Sequence, residues 1–174
     1  MKICILKETT QNEKRVALVP DVAKKLINDG FEIFIESGAG KQSDFSDEDY
    51  TGVGVTASEA DKIIPNADII FSVKMPNIDS IKKMKAEACL IGLLNPYDNH
   101  EQLKALSENN VNAFSMELVP RSPRAQSMDV LSSQSNLAGY KAIVDSSSMF
   151  NRAMPMMMTA AGTIAPAKIF IMGV

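Results

Sequence analysis

The sequence predicts an α/β fold, an open, mostly parallel Rossmann-like (flavodoxin-like) sheet with helices on both faces. Three observations point to it. Short runs rich in Ile, Val and Phe alternate with helix-like segments along the chain, the pattern that builds a parallel sheet covered by helices. Each interval between such runs is long enough for a crossover connection. With 174 residues, 45% of them hydrophobic and 22% charged, the chain has a globular composition and the length to bury roughly 70% of its extended surface.

Taken in order, Lys2–Leu6 reads as the first strand and Pro20–Asp29 as the first helix. Pro20 suits a first helical turn and Gly30 a helix stop. Glu32–Glu36 is the second strand, followed by Ser37-Gly-Ala-Gly40. A Gly-x-Gly there suits a phosphate loop, but with no third glycine and no Lys-Ser/Thr, turn chemistry explains it equally well. Helices are expected at Asp47–Tyr50, Ala57–Ile63, Ser80–Lys85 and His100–Asn109, and strands at Ile69–Val73, Cys89–Leu93 and Asn112–Glu117. A long helix from about Ser132 to Phe150 and a strand at Lys168–Met172 follow, as the first helix and strand of a second Rossmann subdomain. Between them Met154–Met158 reads as a packing or contact surface. Proline and serine accumulate near 120–132. Residues 1–131 are therefore expected to form an N-terminal Rossmann-like subdomain, and 132–174 a linker helix with the first strand of an incomplete one.

The net charge of −3 and a pI near 5.2 argue against nucleic acid as the main partner, because phosphate binding needs a basic surface. The charge is uneven. Residues 1–110 hold 13 Lys/Arg against 18 Asp/Glu, net −5, whereas 111–174 hold 5 against 3, net +2. An anionic ligand would prefer the second stretch. Cys4 and Cys89 lie in apolar runs with neither a CxxC pair nor a secretory leader, which predicts buried thiols in a reducing compartment. No apolar run reaches the length of a membrane span. A single histidine and no cysteine cluster leave no metal site to propose.

The most informative stretch is Pro120–Asn136, a hydroxyl-rich loop with two arginines and a carboxylate between apolar segments. Arg121 and Arg124 offer forked donors to a diphosphate or carboxylate, and Gln126 can both donate and accept. Asp129 can accept from a ribose hydroxyl or an amide, and Ser132 can cap the following helix or touch a ligand. The same residues also describe a solvated helix-capping loop with an Arg–Asp bridge. Glu8 and Arg15, just beyond the first strand, and Lys74, at the end of another, occupy the carboxyl ends where open α/β sheets bind ligands. They suit a small anion or a structural ion pair. Ile169–Val174 is an apolar strand running into Gly173-Val174, the way a Gly-x-Gly-x-x-Gly turn begins. His100, at a helix start, reads as capping or exposed.

Together, Lys2-Ile-Cys-Ile-Leu-Lys-Glu with Asn12-Glu-Lys-Arg-Val-Ala, Glu36-Ser-Gly-Ala-Gly, Val73-Lys-Met-Pro, Arg121–Asn136, Ala138-Gly-Tyr and Thr159-Ala-Ala-Gly-Thr carry a resemblance over the whole chain. The sequence resembles the alanine dehydrogenase/transhydrogenase family, on its transhydrogenase side: the N-terminal part of the NAD(H)-binding component of proton-translocating NAD(P) transhydrogenases. The resemblance implies that Arg121, Ser122, Pro123, Gln126, Asp129 and Ser132 contact NAD(H), with Gln126 and Asp129 positioning the nicotinamide, and that Gly173 and Val174 open the diphosphate turn. It makes residues 132–174 the start of an NAD-binding subdomain. Two departures separate the chain from alanine dehydrogenase. Met75 stands where that enzyme has a glutamate, and Leu93-Leu94-Asn95-Pro96 lies where it carries a catalytic histidine.

The implied reaction is direct hydride transfer between NAD(H) here and NADP(H) on a partner component, coupled to proton passage through a membrane-spanning component. The implied assembly is a homodimer, cytoplasmic and peripheral to the inner membrane, with no span and no nucleic acid of its own. Family members continue past Gly173-Val174 through the rest of the Gly-rich turn and a helix that returns to the first subdomain. These 174 residues are accordingly expected to be inactive alone. Alternatives are an alanine dehydrogenase-like fragment, taking alanine or pyruvate near Arg15 and Lys74, and a non-catalytic assembly relic of a split gene.

Overall fold

A computed structural model describes residues 1–173. The chain divides into two compact units, Met1–Met128 and Asp129–Val174, each described by itself.

The first unit is a six-stranded sheet in the order β3-β2-β1-β4-β5-β6, all pairs parallel. Its strands are β1 (Lys2–Ile5), β2 (Glu32–Glu36), β3 (Thr56–Ser58), β4 (Ile69–Lys74), β5 (Cys89–Leu93) and β6 (Asn112–Ser115). Its helices are α1 (Pro20–Asn28), α2 (Asp47–Thr51), α3 (Ala60–Ile63), α4 (Ile78–Lys82) and α5 (His100–Glu108). Pro20 opens α1 in its first turn, and Gly30 follows with φ +92°, a backbone geometry suited to glycine. Ser46 and Asp49 form a reciprocal capping box on α2, and Asn77 accepts from the Ser80 amide to start α4.

Parallel strands covered on both faces need apolar side chains on both. One face gathers Cys4, Leu6, Ile70, Leu90 and Leu94 with Ile63, Ile81 and Leu106 from α3, α4 and α5. The opposite face gathers Ile3, Ile5, Ile33 and Ile35 with Ala23 of α1 and Tyr50 of α2. Each fully buried Ile or Leu contributes about 1.5–3 kcal/mol. The second face is covered unevenly. Ile35, Ile5, Phe71, Ile91 and Phe114 lie in one register row. Ile35 and Ile5 are fully buried, Phe71 and Ile91 half-buried, and Phe114 is 54% exposed. Helices α1 and α2 thus pack over β1 and β2 and leave the β5–β6 flank bare.

Several boundaries differ from the sequence reading. β3 was not expected: Thr-Ala-Ser has no apolar period, and what read as helix from Ala57 becomes an edge strand with α3 starting at Ala60. That strand turns a flavodoxin-like order into the 3-2-1-4-5-6 order of dinucleotide-binding sheets. The expected strand to Glu117 stops at Ser115, and Met116–Leu118 is a 3₁₀ turn. Cys4 is buried as expected, and burial first, then Glu36, pushes its thiol up to about 12. Cys89 is only half-buried, because it sits in the row of Ile69 and Asn112 on the poorly covered half of the sheet.

The second unit is α6 (Val130–Met149) and a hairpin of β7 (Met157–Thr159) with β8 (Gly162–Ile164). The expected strand at Lys168–Met172 is not formed: those residues have no ladder partner, and composition without a paired edge makes no strand. The hairpin falls where the methionine-rich stretch read only as a contact surface. Its turn puts Gly162 at φ +136°.

Candidate functional site

The sheet order reverses between β1 and β4, the topological switch point at which ligands of open α/β sheets bind, beyond the carboxyl ends of the strands. A crevice of about 90 Å³ opens there, lined among others by Lys7, Glu8, Ser72, Lys74, Asn77 and Ser80. Glu8 crosses it: its Oε1 accepts from the Val73 amide at 2.5 Å and its Oε2 from the Lys74 amide at 3.1 Å. Burial pushes the Glu8 carboxyl above its ordinary value, more than these two bonds pull it down. Ser72, 4% exposed, also lines this crevice, and its buried hydroxyl meets no partner among the described residues.

The small-anion reading of Glu8 and Arg15 resolves into two different jobs. Arg15 pairs with Glu13, its Nε 2.7 Å from Oε1 and its Nη2 2.6 Å from Oε2. The Arg15 hydrogen bond holds the Glu13 carboxyl below its usual range. Glu8 instead binds backbone.

The same device recurs along the rim. Glu36 accepts from the Lys7 amide at 2.9 Å. Glu117, past the end of β6, accepts from the Leu94 amide at 3.3 Å and from the Asn95 amide. Burial raises the Glu117 carboxyl, but its own amide and the Ser115 side chain, with the Asn95 and Leu94 amides, together outweigh that and leave it lowered. The amides at the ends of β1, β4 and β5 are thus taken by carboxylates from neighbouring segments. Asp47 likewise takes the Gly38 amide at 2.9 Å, and a Cβ on Gly40 would strike Tyr50 at 2.6 Å. Ser37–Gly40 is a packed turn whose donor is already used, so the phosphate-loop reading of it falls.

Of the loop residues singled out by sequence, Arg121, Ser122, Pro123, Arg124 and Gln126 lie together on the first unit, all exposed. The loop is held by its own backbone: Ser122 N donates to Pro120 O at 2.9 Å, Ala125 N to Ser122 O at 3.0 Å and Met128 N to Ala125 O at 2.8 Å. Ala125, 8% exposed, is its buried anchor, and Gln126–Met128 is a 3₁₀ turn. Asp129 and Ser132 belong to the second unit, where they make one cap. The Asp129 carboxylate accepts from the Ser132 amide at 2.9 Å and from its hydroxyl at 2.6 Å. Gly173 has φ +82° with open space where a Cβ would stand. Val174 lies outside the described residues.

His100 is exposed at the start of α5. Among the described residues no three His, Cys, Asp or Glu side chains gather as a metal site requires. Sequence reasoning missed Ser72 and Glu117. Neither carries a motif, since one is a strand serine and the other a carboxylate whose partners lie more than twenty residues earlier.

The profile of the family described as "Alanine dehydrogenase/PNT, N-terminal domain" matches residues 4–138. The chain is similar to the first part of the NAD(P) transhydrogenase subunit alpha of Rhodospirillum rubrum, 45% identical over 100% of this chain and 47% of the relative. It is similar also to alanine dehydrogenase of Halomonas elongata, 26% identical over 99% of this chain and 47% of that protein. Among solved structures it matches the crystal structure of transhydrogenase from Sinorhizobium meliloti, with a TM-score of 0.90 at 42% identity over 96% of this chain and 50% of that one. The chain spans about half the length of these relatives.

Proposed function

The chain belongs to the alanine dehydrogenase/PNT N-terminal domain family, and from that premise we propose that it forms the first half of the NAD(H)-binding component of a proton-translocating transhydrogenase. The observation that carries the reading is its likeness to transhydrogenases along the whole chain, well above its likeness to an alanine dehydrogenase. Local chemistry supports it. Reduction of an imino acid needs a proton donor, and the Leu93–Pro96 segment has no imidazole. Of the carboxylates bonded to it, Glu117 is taken by the Leu94 and Asn95 amides and Asp98 by the Asn95 side chain. Direct transfer between two nicotinamide rings needs positioning instead.

The residues present fit a dinucleotide. Gly173 has φ +82°, a backbone geometry that glycine can bring to a tight first-glycine turn. The exposed Arg121, Ser122 and Gln126 keep their donors on a loop that its own backbone holds in shape. NAD(H), when bound, supplies the transferable hydride. In this reading Gln126 and Asp129 orient its nicotinamide end, Arg121, Ser122, Pro123 and Ser132 line it, and Gly173 and Val174 begin the diphosphate turn. NADP(H) is held by a partner component, the NAD(H) component pairs as a homodimer, and a separate component carries protons through the membrane. Among the described residues no helix is long and apolar enough to cross a membrane. The implied assembly, rather than this absence, is what puts the chain on the cytoplasmic face of the inner membrane in this reading, held there by its partners.

The test is titration of NADH into the chain, followed by nicotinamide fluorescence, with NADPH as the control. Saturable binding of NADH and none of NADPH is expected. NADPH binding as tight as NADH would overturn the reading, and NADH oxidation driven by pyruvate and ammonia would replace it with the alanine dehydrogenase alternative.

A further inference from the structure

The crevice at the switch point holds a titratable group that the proposed hydride transfer does not use. Glu8 reaches from the loop after β1 across to the end of β4 and receives two successive amides, the shorter bond from Val73 and the longer from Lys74. These residues lie where the β4–β5 register shifts between Phe71 and Lys74, so the ladder is irregular where the carboxylate holds it. We propose that Glu8 is a proton-operated latch on the end of β4: as the carboxylate it holds both amides, and as the acid it keeps Val73 and releases the Lys74 amide into the crevice.

A carboxylate has two accepting oxygens, whereas a carboxylic acid has one good acceptor and a hydroxyl that must donate. The proton comes from solvent and goes to the oxygen with the weaker bond, Oε2, which faces Lys74 at 3.1 Å. The carbonyl oxygen that remains keeps the 2.5 Å bond to Val73. The freed Lys74 amide then joins Ser72 Oγ, which already lacks a partner, as a second donor in the same crevice.

The surroundings favour protonation above the ordinary glutamate range. Burial acts most strongly, and Glu13 adds to it, while the two amides and Arg15 oppose it. Glu13 and Arg15 face Glu8 from its own loop, with Lys7 and Lys14 beside them. Glu36 of β2 and Lys74 of β4 face it across the crevice, and α3 and α4 contribute only the uncharged Ala60 and Ser80. Glu117 grips two amides in the same way, but there its own amide and the Ser115 side chain add to them, and against a smaller burial cost its carboxyl is held below the ordinary value rather than above it.

The test is a pH titration of the full chain by NMR, reading the Glu8 side-chain carboxyl carbon and the backbone amides of Val73 and Lys74. The latch predicts a Glu8 midpoint above about 4.3, with the Lys74 amide proton moving upfield at that same midpoint by more than Val73. Glu13→Gln should lower the shared midpoint, because Arg15 is then left to favour the Glu8 carboxylate. Glu8→Gln should abolish the Lys74 transition. A Glu8 midpoint at or below about 4.3, or a Lys74 amide that titrates apart from Glu8, would overturn the latch, and the wild-type titration decides this even if a variant does not fold.

Discussion

Tyr50→Phe isolates one bond that ties the sheet's best-covered flank together. The Tyr50 side chain is fully buried, packs edge-on against Phe45 with ring centroids 6.3 Å apart, and donates its hydroxyl to Leu18 O at 2.8 Å. Leu18 immediately precedes Val19, the N-cap of α1, so the bond fastens α2 to the entry of α1. Phenylalanine keeps the ring and removes only the donor, leaving a buried carbonyl unpaired at a cost of about 1–3 kcal/mol. For a unit of this size that corresponds to a fall in Tm of roughly 3–10 °C. A pH signature accompanies it. Burial, with Asp47 and Asp49 adding to it, raises the Tyr50 phenol from its ordinary value to about 12. A raised acid binds its proton more tightly folded than unfolded, so this contribution is complete below about 10, the unfolded value, and is lost as pH rises toward 12. The assay is urea unfolding followed by circular dichroism, comparing the two proteins from about pH 7 to about pH 11.5, a range that brackets the unfolded phenol value. The difference should be largest at neutral pH and shrink above about pH 10, with Cys4 and the lysines cancelling in the subtraction. A neutral-pH difference within about 0.5 kcal/mol, roughly the scatter of a silent surface substitution, would refute the reasoning.

Two further positions can be tested by substitution. Gly92→Ala would drive a Cβ into the Ser72 carbonyl oxygen of the neighbouring strand, with Leu94 also crowding it. A loss of at least about 2 kcal/mol in urea unfolding is expected, and a neutral result would mean β4 and β5 can part there. Asp129→Ala should cost about 1 kcal/mol through loss of the α6 cap, whereas Asp129→Asn should keep the cap to within a few tenths. If Asp129 positions the nicotinamide, the asparagine variant in a completed assembly loses hydride transfer while keeping its helix. Equal, small effects of Asn on both would make Asp129 structural alone.

What the sequence reveals follows from how local each signal is. β1, β2, β4 and β5 are runs of branched apolar residues bounded by turn residues, so their periodicity is visible one segment at a time. β3 is invisible because Thr56–Ser58 owes its strand state to the edge of β2. Lys168–Met172 errs the other way, a run with strand composition and no edge to join. At the site, a cap at the start of α6 was legible, but the reading put it on Ser132, whereas the carboxylate three residues earlier, Asp129, is the N-cap and Ser132 its donor. The grips of Glu8 on Val73 and of Glu117 on Leu94 span 65 and 23 residues, and only the folded sheet brings them together. The Arg15 pairing shows the limit of fold-level placement: the strand-end position was right, and its partner was the glutamate two residues away.

The bare flank beyond β5 has a consequence for how this protein behaves in bulk. β6 is an edge strand whose Asn-Ala-Phe-Ser sequence contains neither charge nor proline, the usual guards against edge-to-edge pairing. Its Phe114 adds an apolar handle beside the open ladder. This margin therefore invites self-association, and a lysine placed at Ala113 would extend the concentration range over which the chain stays dispersed.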